Sequence, residues 1–295
     1  AFNPPSVVAD STGEFYAFFP DFINNMMYLF YWPDIVANKN PQITSVAGSV
    51  GGKWSAVFDE ARRRVIVIGQ SLGQLHFFND QGVFTGTLSG IRTPGNDPRS
   101  SLQYPALQLC PENRLHVAWA TSDSVAYANN NAVSYRDIGY MWAPDLRNWA
   151  SASLTKIGWP GGMFSAAPIP CDACGILRTE ELDPNTLLSS FLVTRDHVHI
   201  SYAYINQQSG KFVSRDLRGS TFAYQRYNRL AGKQEAHNWP LRILEEGRVD
   251  FIPRFPGSHL IEFEKYNELY HVFIDRMELV VTKWNRPEDE WHVVK

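Results

Sequence analysis

The chain has 295 residues, 44% hydrophobic and only 19% charged, with 27 basic against 30 acidic side chains and a net charge of −3. Such a chain buries enough apolar surface to offset its ordering entropy, so disorder is excluded. Its densest basic run is Arg62-Arg63-Arg64, so no nucleic-acid partner is expected, and its most apolar stretch, Met26 to Trp32, is far short of the roughly 20 residues that span a bilayer.

Taken in chain order, five segments share one pattern of short apolar strand, polar turn and second apolar strand. They begin at Ser6, Ala56, Ala106, Ser190 and His259. The first three starts are 50 residues apart; the later gaps are 84 and 69, which leaves room for insertions or a sixth unit. Further strand-like runs follow the pairs, at Leu75 to Phe78, Ser134 to Trp142, Lys211 to Leu217 and Leu279 to Trp284. Turn residues such as Asn79-Asp80-Gln81-Gly82 separate them. No segment sustains a 3.6-residue apolar period, and the best helical candidate, Thr179 to Leu188, is interrupted by Asp183-Pro184.

Four strands per unit of about 50 residues predict an all-β fold: a single β-propeller domain over residues 1–295, with five to seven four-stranded blades. A large sandwich or two β-domains is the alternative. The continuous run Val65-Ile66-Val67-Ile68 favours the propeller, whose inner strands are covered on both faces. The second residue of the second strand is Tyr16, Ile66, His116, His199 and Tyr270. This column reads either as donors facing a cavity or as side chains that fill the space between blades and bond a neighbouring strand. One position of the same strands repeats as Phe19, Trp119, Tyr202 and Phe273, which makes most of the aromatic excess structural.

Several positions carry possible chemistry. Tyr104 precedes Pro105 at a strand start. Arg136-Asp137 offers a cation for a carboxylate and an acid to orient it, or a strand-to-strand salt link. Arg92 lies in a long loop ahead of the third unit. His197-x-His199 puts two imidazoles on one strand face, a spacing compatible with a metal but lacking a clear third ligand. No cofactor motif is present, and a structural metal ion stays an open possibility without support. Cys171-Asp-Ala-Cys174 reads as a local disulfide or two inert thiols. The chain starts at Ala1 without a Met or a signal peptide, and an extracellular, secreted location is expected.

The third unit is the most specific. It reads Gln103-Tyr104-Pro105-Ala106-Leu107, Arg114-Leu115-His116-Val117-Ala118-Trp119 and Ser134-Tyr135-Arg136-Asp137-Ile138-Gly139-Tyr140. It ends in Ala143-Pro144-Asp145-Leu146-Arg147-Asn148-Trp149, a degenerate Asp-box. This combination resembles the BNR-repeat propeller proteins, in particular the branch related to ulvan lyases. The resemblance implies a central funnel that binds an acidic glycan. It also implies a base that removes the uronate C5 proton, a cation on the carboxylate, and a Tyr or His for proton transfer. The hypothesised catalytic set is Tyr104, His116, Arg136 and His199, with Trp54, Gln70, Arg92, Asp137 and Trp159 binding substrate. The lyase pattern expects histidines where this chain has Lys53-Trp54-Ser55 and Gly69-Gln70-Ser71, and neither Trp nor Gln is a base near neutral pH.

The leading expectation is therefore recognition of an acidic polysaccharide, with lyase chemistry as a possible addition. A non-catalytic lectin or protein-assembly module with a protein partner is the alternative. Glycosidases are further rivals: a sialidase using arginines such as Arg92, Arg136, Arg195, Arg254 and Arg276, or a furanosidase using Asp10, Asp59 and Asp137.

Overall fold

Alternating apolar residues broken by turn residues build antiparallel meanders, and the computed structural model contains five sheets of that kind. It describes residues 6–21, 23–37, 40–47, 54–69, 75–88, 100–123, 134–142, 175–177, 186–205, 220–229, 233–240, 243–244, 259–275, 278–285 and 290–294.

Sheet one holds β1 (Ser6–Ala9), β2 (Phe15–Asp21), β3 (Met26–Trp32) and β4 (Gln42–Ala47) in that order. Sheet two holds β5 (Trp54–Asp59), β6 (Arg64–Gly69), β7 (Leu75–Asn79) and β8 (Phe84–Leu88). Sheet three holds β9 (Ser100–Leu109), β10 (Leu115–Asp123), β11 (Ser134–Trp142) and β12 (Gly175–Leu177). Sheet four holds β13 (Thr186–Val193), β14 (His197–Ile205), β15 (Ser220–Asn228) and β16 (Lys233–Pro240). Sheet five runs β18 (His259–Phe263), β19 (Glu268–Asp275), β20 (Glu278–Asn285) and β21 (Glu290–Val293), with the short β17 (Ile243–Leu244) parallel to β21.

Among the described residues the only helical element is a 3₁₀ turn at Glu264–Tyr266. The helical candidate gives way to β13, which starts at Thr186, just beyond Asp183-Pro184. The expected strand at Lys211 to Leu217 lies outside the described residues. The chain divides into two compact units, residues 1–122 with 140–167 and residues 123–139 with 168–295. Sheets one and two belong to the first, sheets four and five to the second.

Each sheet has two faces because strand side chains alternate. The face of the Tyr16, Ile66, His116, His199 and Tyr270 column is termed forward, the other backward. In the first unit, Tyr16, Phe18, Leu29 and Tyr31 of sheet one's forward face meet Phe58, Val65, Val67 and Phe78 of sheet two's backward face. In the second, Tyr224 and Leu192 of sheet four meet Leu260, Leu269, Trp284 and Trp291 of sheet five. Each fully buried aliphatic or aromatic side chain contributes about 1.5–3 kcal/mol, so these seams dominate cohesion.

Polar contacts repeat along with the packing. Ser55 Oγ accepts the Leu107 N–H and Ser190 Oγ accepts the Leu260 N–H, both at 2.8 Å and both from the first strand of the next sheet. In four of the sheets a residue one or two positions before the second strand is left-handed: Gly13, Arg63, Asn113 and Asn267, with φ of 93°, 48°, 59° and 55°. Two of these reach back to the preceding sheet's turn. Arg63 Nη1 donates to Asp10 at 2.6 Å, and Asn113 Nδ2 donates to Asp59 at 3.1 Å.

Candidate functional site

The turn ends of sheets one to three are occupied by their own bridges. Arg63 holds Asp10 and Glu14 at 2.6 Å each and Asp80 at 3.4 Å. Tyr16 donates its hydroxyl proton to the Asp80 carbonyl at 2.6 Å, and Tyr31 donates to Glu14 at 2.8 Å. Burial pushes the Asp10 carboxyl up, but hydrogen bonds from Thr12, Arg63 and the Glu14 N–H outweigh it and hold the group below the usual carboxylate range. Burial and the Glu14 carboxylate push the Tyr31 hydroxyl up to about 12. Asp59 is gripped by Arg62, Arg64 and Asn113. Asp10 and Asp59, the carboxylates a furanosidase reading would use, are thus bound within structural bridges.

The opposite end holds the candidates. Turn contact at Asn113–Asp59 and strand contact at Leu107–Ser55 set β9 beside β5 in the same sense, so Trp54 and Tyr104 both lie away from the turns. Trp54 pairs with Gly69, and a Cβ on Gly69 would stand 2.8 Å from the indole's six-membered ring. The indole therefore lies across bare backbone. It sits 5.7 Å from the His76 ring and packs, partly buried, against the seam of sheets one and two. Its Nε1 is buried with no hydrogen-bond partner among the described residues. His76 is buried, its Nδ1 is 3.2 Å from Thr87 Oγ1, and burial pushes its pKa down to about 4. Sequence reasoning missed the tilted ring contact between Trp54 and His76; the missed signal is Gly69 at the column position where the other sheets carry a large aromatic.

Tyr104 is half-buried in β9 with φ of 50°, immediately before Pro105. A bulky residue in the left-handed region costs of order 1–3 kcal/mol, and a following proline disfavours helical conformations further.

The predicted histidines lie in sheet interiors. His116 is 1% exposed, and a 2.8 Å hydrogen bond joins its Nδ1 to the Tyr140 hydroxyl. His199 is 1% exposed, and its Nδ1 shares a 2.7 Å hydrogen bond with the Tyr224 hydroxyl. With Tyr16 bonding Asp80, three members of the column hydrogen-bond a neighbouring strand or turn, which is the space-filling alternative rather than a ring of donors around a cavity. His197 and His199 have ring centroids 5.7 Å apart, and no group of three or more metal-ligating side chains converges among the described residues. Arg136 and Asp137 lie on β11, but their side chains are outside what the structure describes. Gln70, Arg92 and Trp159, like Cys171 and Cys174, lie outside the described residues. Gly69 and Leu88, after which the segments bearing Gln70 and Arg92 follow in sequence, end their strands at the Trp54 end of sheet two.

No family model matches the sequence, and no curated protein matches it. Solved structures do resemble the fold. The chain is similar to the hydrazine synthase of Kuenenia stuttgartiensis, with a TM-score of 0.54 and 9% identity over 94% of this chain and 64% of that one. It is similar to an ulvan lyase, a polysaccharide lyase bound to -[GlcA(1-4)Rha3S]-, with a TM-score of 0.57 and 12% identity over 98% of this chain and 68% of that one. It is also similar to the Hadza microbial sialidase Hz136, with a TM-score of 0.54 and 9% identity over 99% of this chain and 57% of that one. The chain thus spans about two thirds or less of these proteins. The lyase and the sialidase are β-propellers, and the likeness establishes an all-β fold of four-stranded antiparallel sheets.

Proposed function

We propose that this chain is a carbohydrate-recognising β-propeller whose sheets are blades of one domain of five to seven blades, acting on or binding an acidic polysaccharide outside the cell. The observation that carries the reading is Tyr104. It is an aromatic side chain held in a strained conformation, at the sheet end where Trp54 lies and from which the segments bearing Gln70 and Arg92 depart. Strain of this kind collects at binding and catalytic positions. Tyr104 stacks on a sugar ring, the partly exposed ring of Trp54 packs beside it, and Arg92 with Gln70 binds the uronate carboxylate and hydroxyls. Asp137 and Trp159 extend the binding surface.

Binding without elimination is favoured by the burial of the candidate bases, since His116 and His199 at 1% exposure hold tyrosine hydroxyls. The second reading is β-elimination, favoured by the likeness to the ulvan lyase. It gives His116 or His199 the base role, Tyr104 the proton-transfer role and Arg136 the carboxylate. One panel of acidic polysaccharides separates the two. Elimination creates a C4–C5 double bond that absorbs in the near ultraviolet, whereas binding shows by calorimetry without absorbance. Binding alone supports the leading reading, absorbance gain supports the second, and neither signal on any member of the panel overturns both.

A further inference from the structure

The seam of sheets one and two and the seam of sheets four and five differ at equivalent positions. Two residues beyond Tyr16 of the column, sheet one places Phe18; two beyond His199, sheet four places Ser201. One residue beyond Ile66, sheet two places Val67; one beyond Tyr270, sheet five places His271. Phe18 and Val67 belong to the apolar seam of sheets one and two, and the Phe18 ring lies 5.6 Å from that of Phe78. Ser201 and His271 bring polar atoms to the same places in the seam of sheets four and five, and both residues are fully buried.

Ser201 stands opposite Tyr224 in the register of β14 and β15, on the same face. The Tyr224 ring is 5.5 Å from that of Trp291 on sheet five, and the Trp291 ring is 5.7 Å from that of His271. Among the described residues, Ser201 Oγ, both ring nitrogens of His271 and the buried Trp291 Nε1 have no hydrogen-bond partner. The hydroxyls beside them are committed elsewhere. Tyr224 bonds His199 Nδ1 at 2.7 Å, and Thr282 donates to the His271 carbonyl at 3.1 Å. A buried polar group is hydrogen-bonded or bears its desolvation cost, and an internal water typically bonds about three such groups. The donors and acceptors suit that guest. The Trp291 indole only donates, the Ser201 hydroxyl donates and accepts, and a neutral imidazole has one donor and one acceptor nitrogen. Burial keeps His271 neutral by pushing its pKa down to about 3. An apolar guest would leave all three side chains unpaired, and a metal ion cannot accept the indole proton. We propose that an internal water molecule sits between sheets four and five, bonded to Ser201 Oγ on one side and to Trp291 Nε1 and a ring nitrogen of His271 on the other. It joins the two sheets at the place where sheets one and two use the ring of Phe18.

A high-resolution crystal structure of the wild-type chain tests this directly. The expected result is a density peak about 2.7–3.2 Å from Ser201 Oγ, from Trp291 Nε1 and from one ring nitrogen of His271. A seam without such a peak, or a direct hydrogen bond between Ser201 and His271, overturns the proposal. Oxygen-17 relaxation dispersion of the solvent gives a second measurement, because it counts long-lived internal waters in solution. The double variant Ser201→Ala, His271→Val, folded by circular dichroism, should hold at least one fewer than wild type. An equal count overturns the proposal as well. The crystal test needs no variant, so it stays decisive if the double variant fails to fold.

Discussion

Acid should destabilise this protein through His271, and the size of the effect follows from its surroundings. The side chain is fully buried between Phe273 and Trp291, with ring centroids 5.2 and 5.7 Å away, and neither ring nitrogen has a hydrogen-bond partner among the described residues. Burial, with a smaller contribution from His259, pushes its pKa down to about 3, whereas the unfolded chain titrates near the ordinary 6.5. A folded pKa below the unfolded one means that the neutral ring stabilises the fold above pH 6.5. That stabilisation is lost as pH falls toward 3. Each pH unit in this window costs about 1.4 kcal/mol, so acidification from pH 7 to pH 5 costs about 2 kcal/mol through this residue. For a cooperative unfolding of a chain this long, that is a Tm loss of about 3 °C. His271→Leu removes the titrating group while keeping an apolar side chain. Thermal unfolding followed by circular dichroism at pH 7, 6 and 5 should give a shallower pH slope for the variant, the remainder coming from groups such as His76, depressed to about 4. Parallel slopes for the two proteins, or an NMR titration of wild-type His271 near pH 6.5, would refute the reasoning.

Gly69→Ala places a Cβ against the Trp54 ring and should cost about 1–3 kcal/mol by overpacking; urea unfolding of Gly69→Ala, Trp54→Leu and the double variant should show the cost recovered when the indole is absent. Tyr224→Phe deletes the hydroxyl bound to His199 and should cost about 1–3 kcal/mol in the same assay, and an unchanged midpoint would show that the pair contributes nothing. Tyr104→Gly relieves left-handed strain of about 1–2 kcal/mol, so Tm should hold or rise while polysaccharide affinity falls about tenfold, the equivalent of 1.4 kcal/mol. Affinity equal to wild type would remove Tyr104 from the site.

The sheets were legible because their signal is local. Val65 to Ile68 and Met26 to Trp32 occupy strands whose boundaries follow the apolar runs, and the turns fall on Asp10 to Glu14 and Asp59 to Arg64. The column from Tyr16 to Tyr270 was visible as a spacing, but its meaning depends on partners 24 and 25 residues away, Tyr140 for His116 and Tyr224 for His199. Strand periodicity says which face a residue takes, not whether another sheet covers that face. For the same reason the packing of Trp54 was not legible in the sequence. Its ring lies over Gly69 because the cross-strand register pairs them, and register is set by the turn rather than by either residue. Arg63 was visible only as part of the densest basic run, yet its left-handed backbone stands where its guanidinium reaches the preceding sheet's Asp10.

Shared architecture leaves the chemistry open, since a hydrazine synthase, a lyase and a sialidase all resemble this chain. What distinguishes the two ends of its sheets is how their polar groups are engaged. At the turn end, Asp10, Glu14, Asp59 and Asp80 are held by Arg62, Arg63, Arg64 and Asn113, so a ligand there would have to displace ion pairs between sheets. At the other end the buried Trp54 indole N–H has no acceptor among the described residues, and Tyr104 has a left-handed backbone. That difference between the ends is the reason to test the proposed glycan site at the Tyr104 end first.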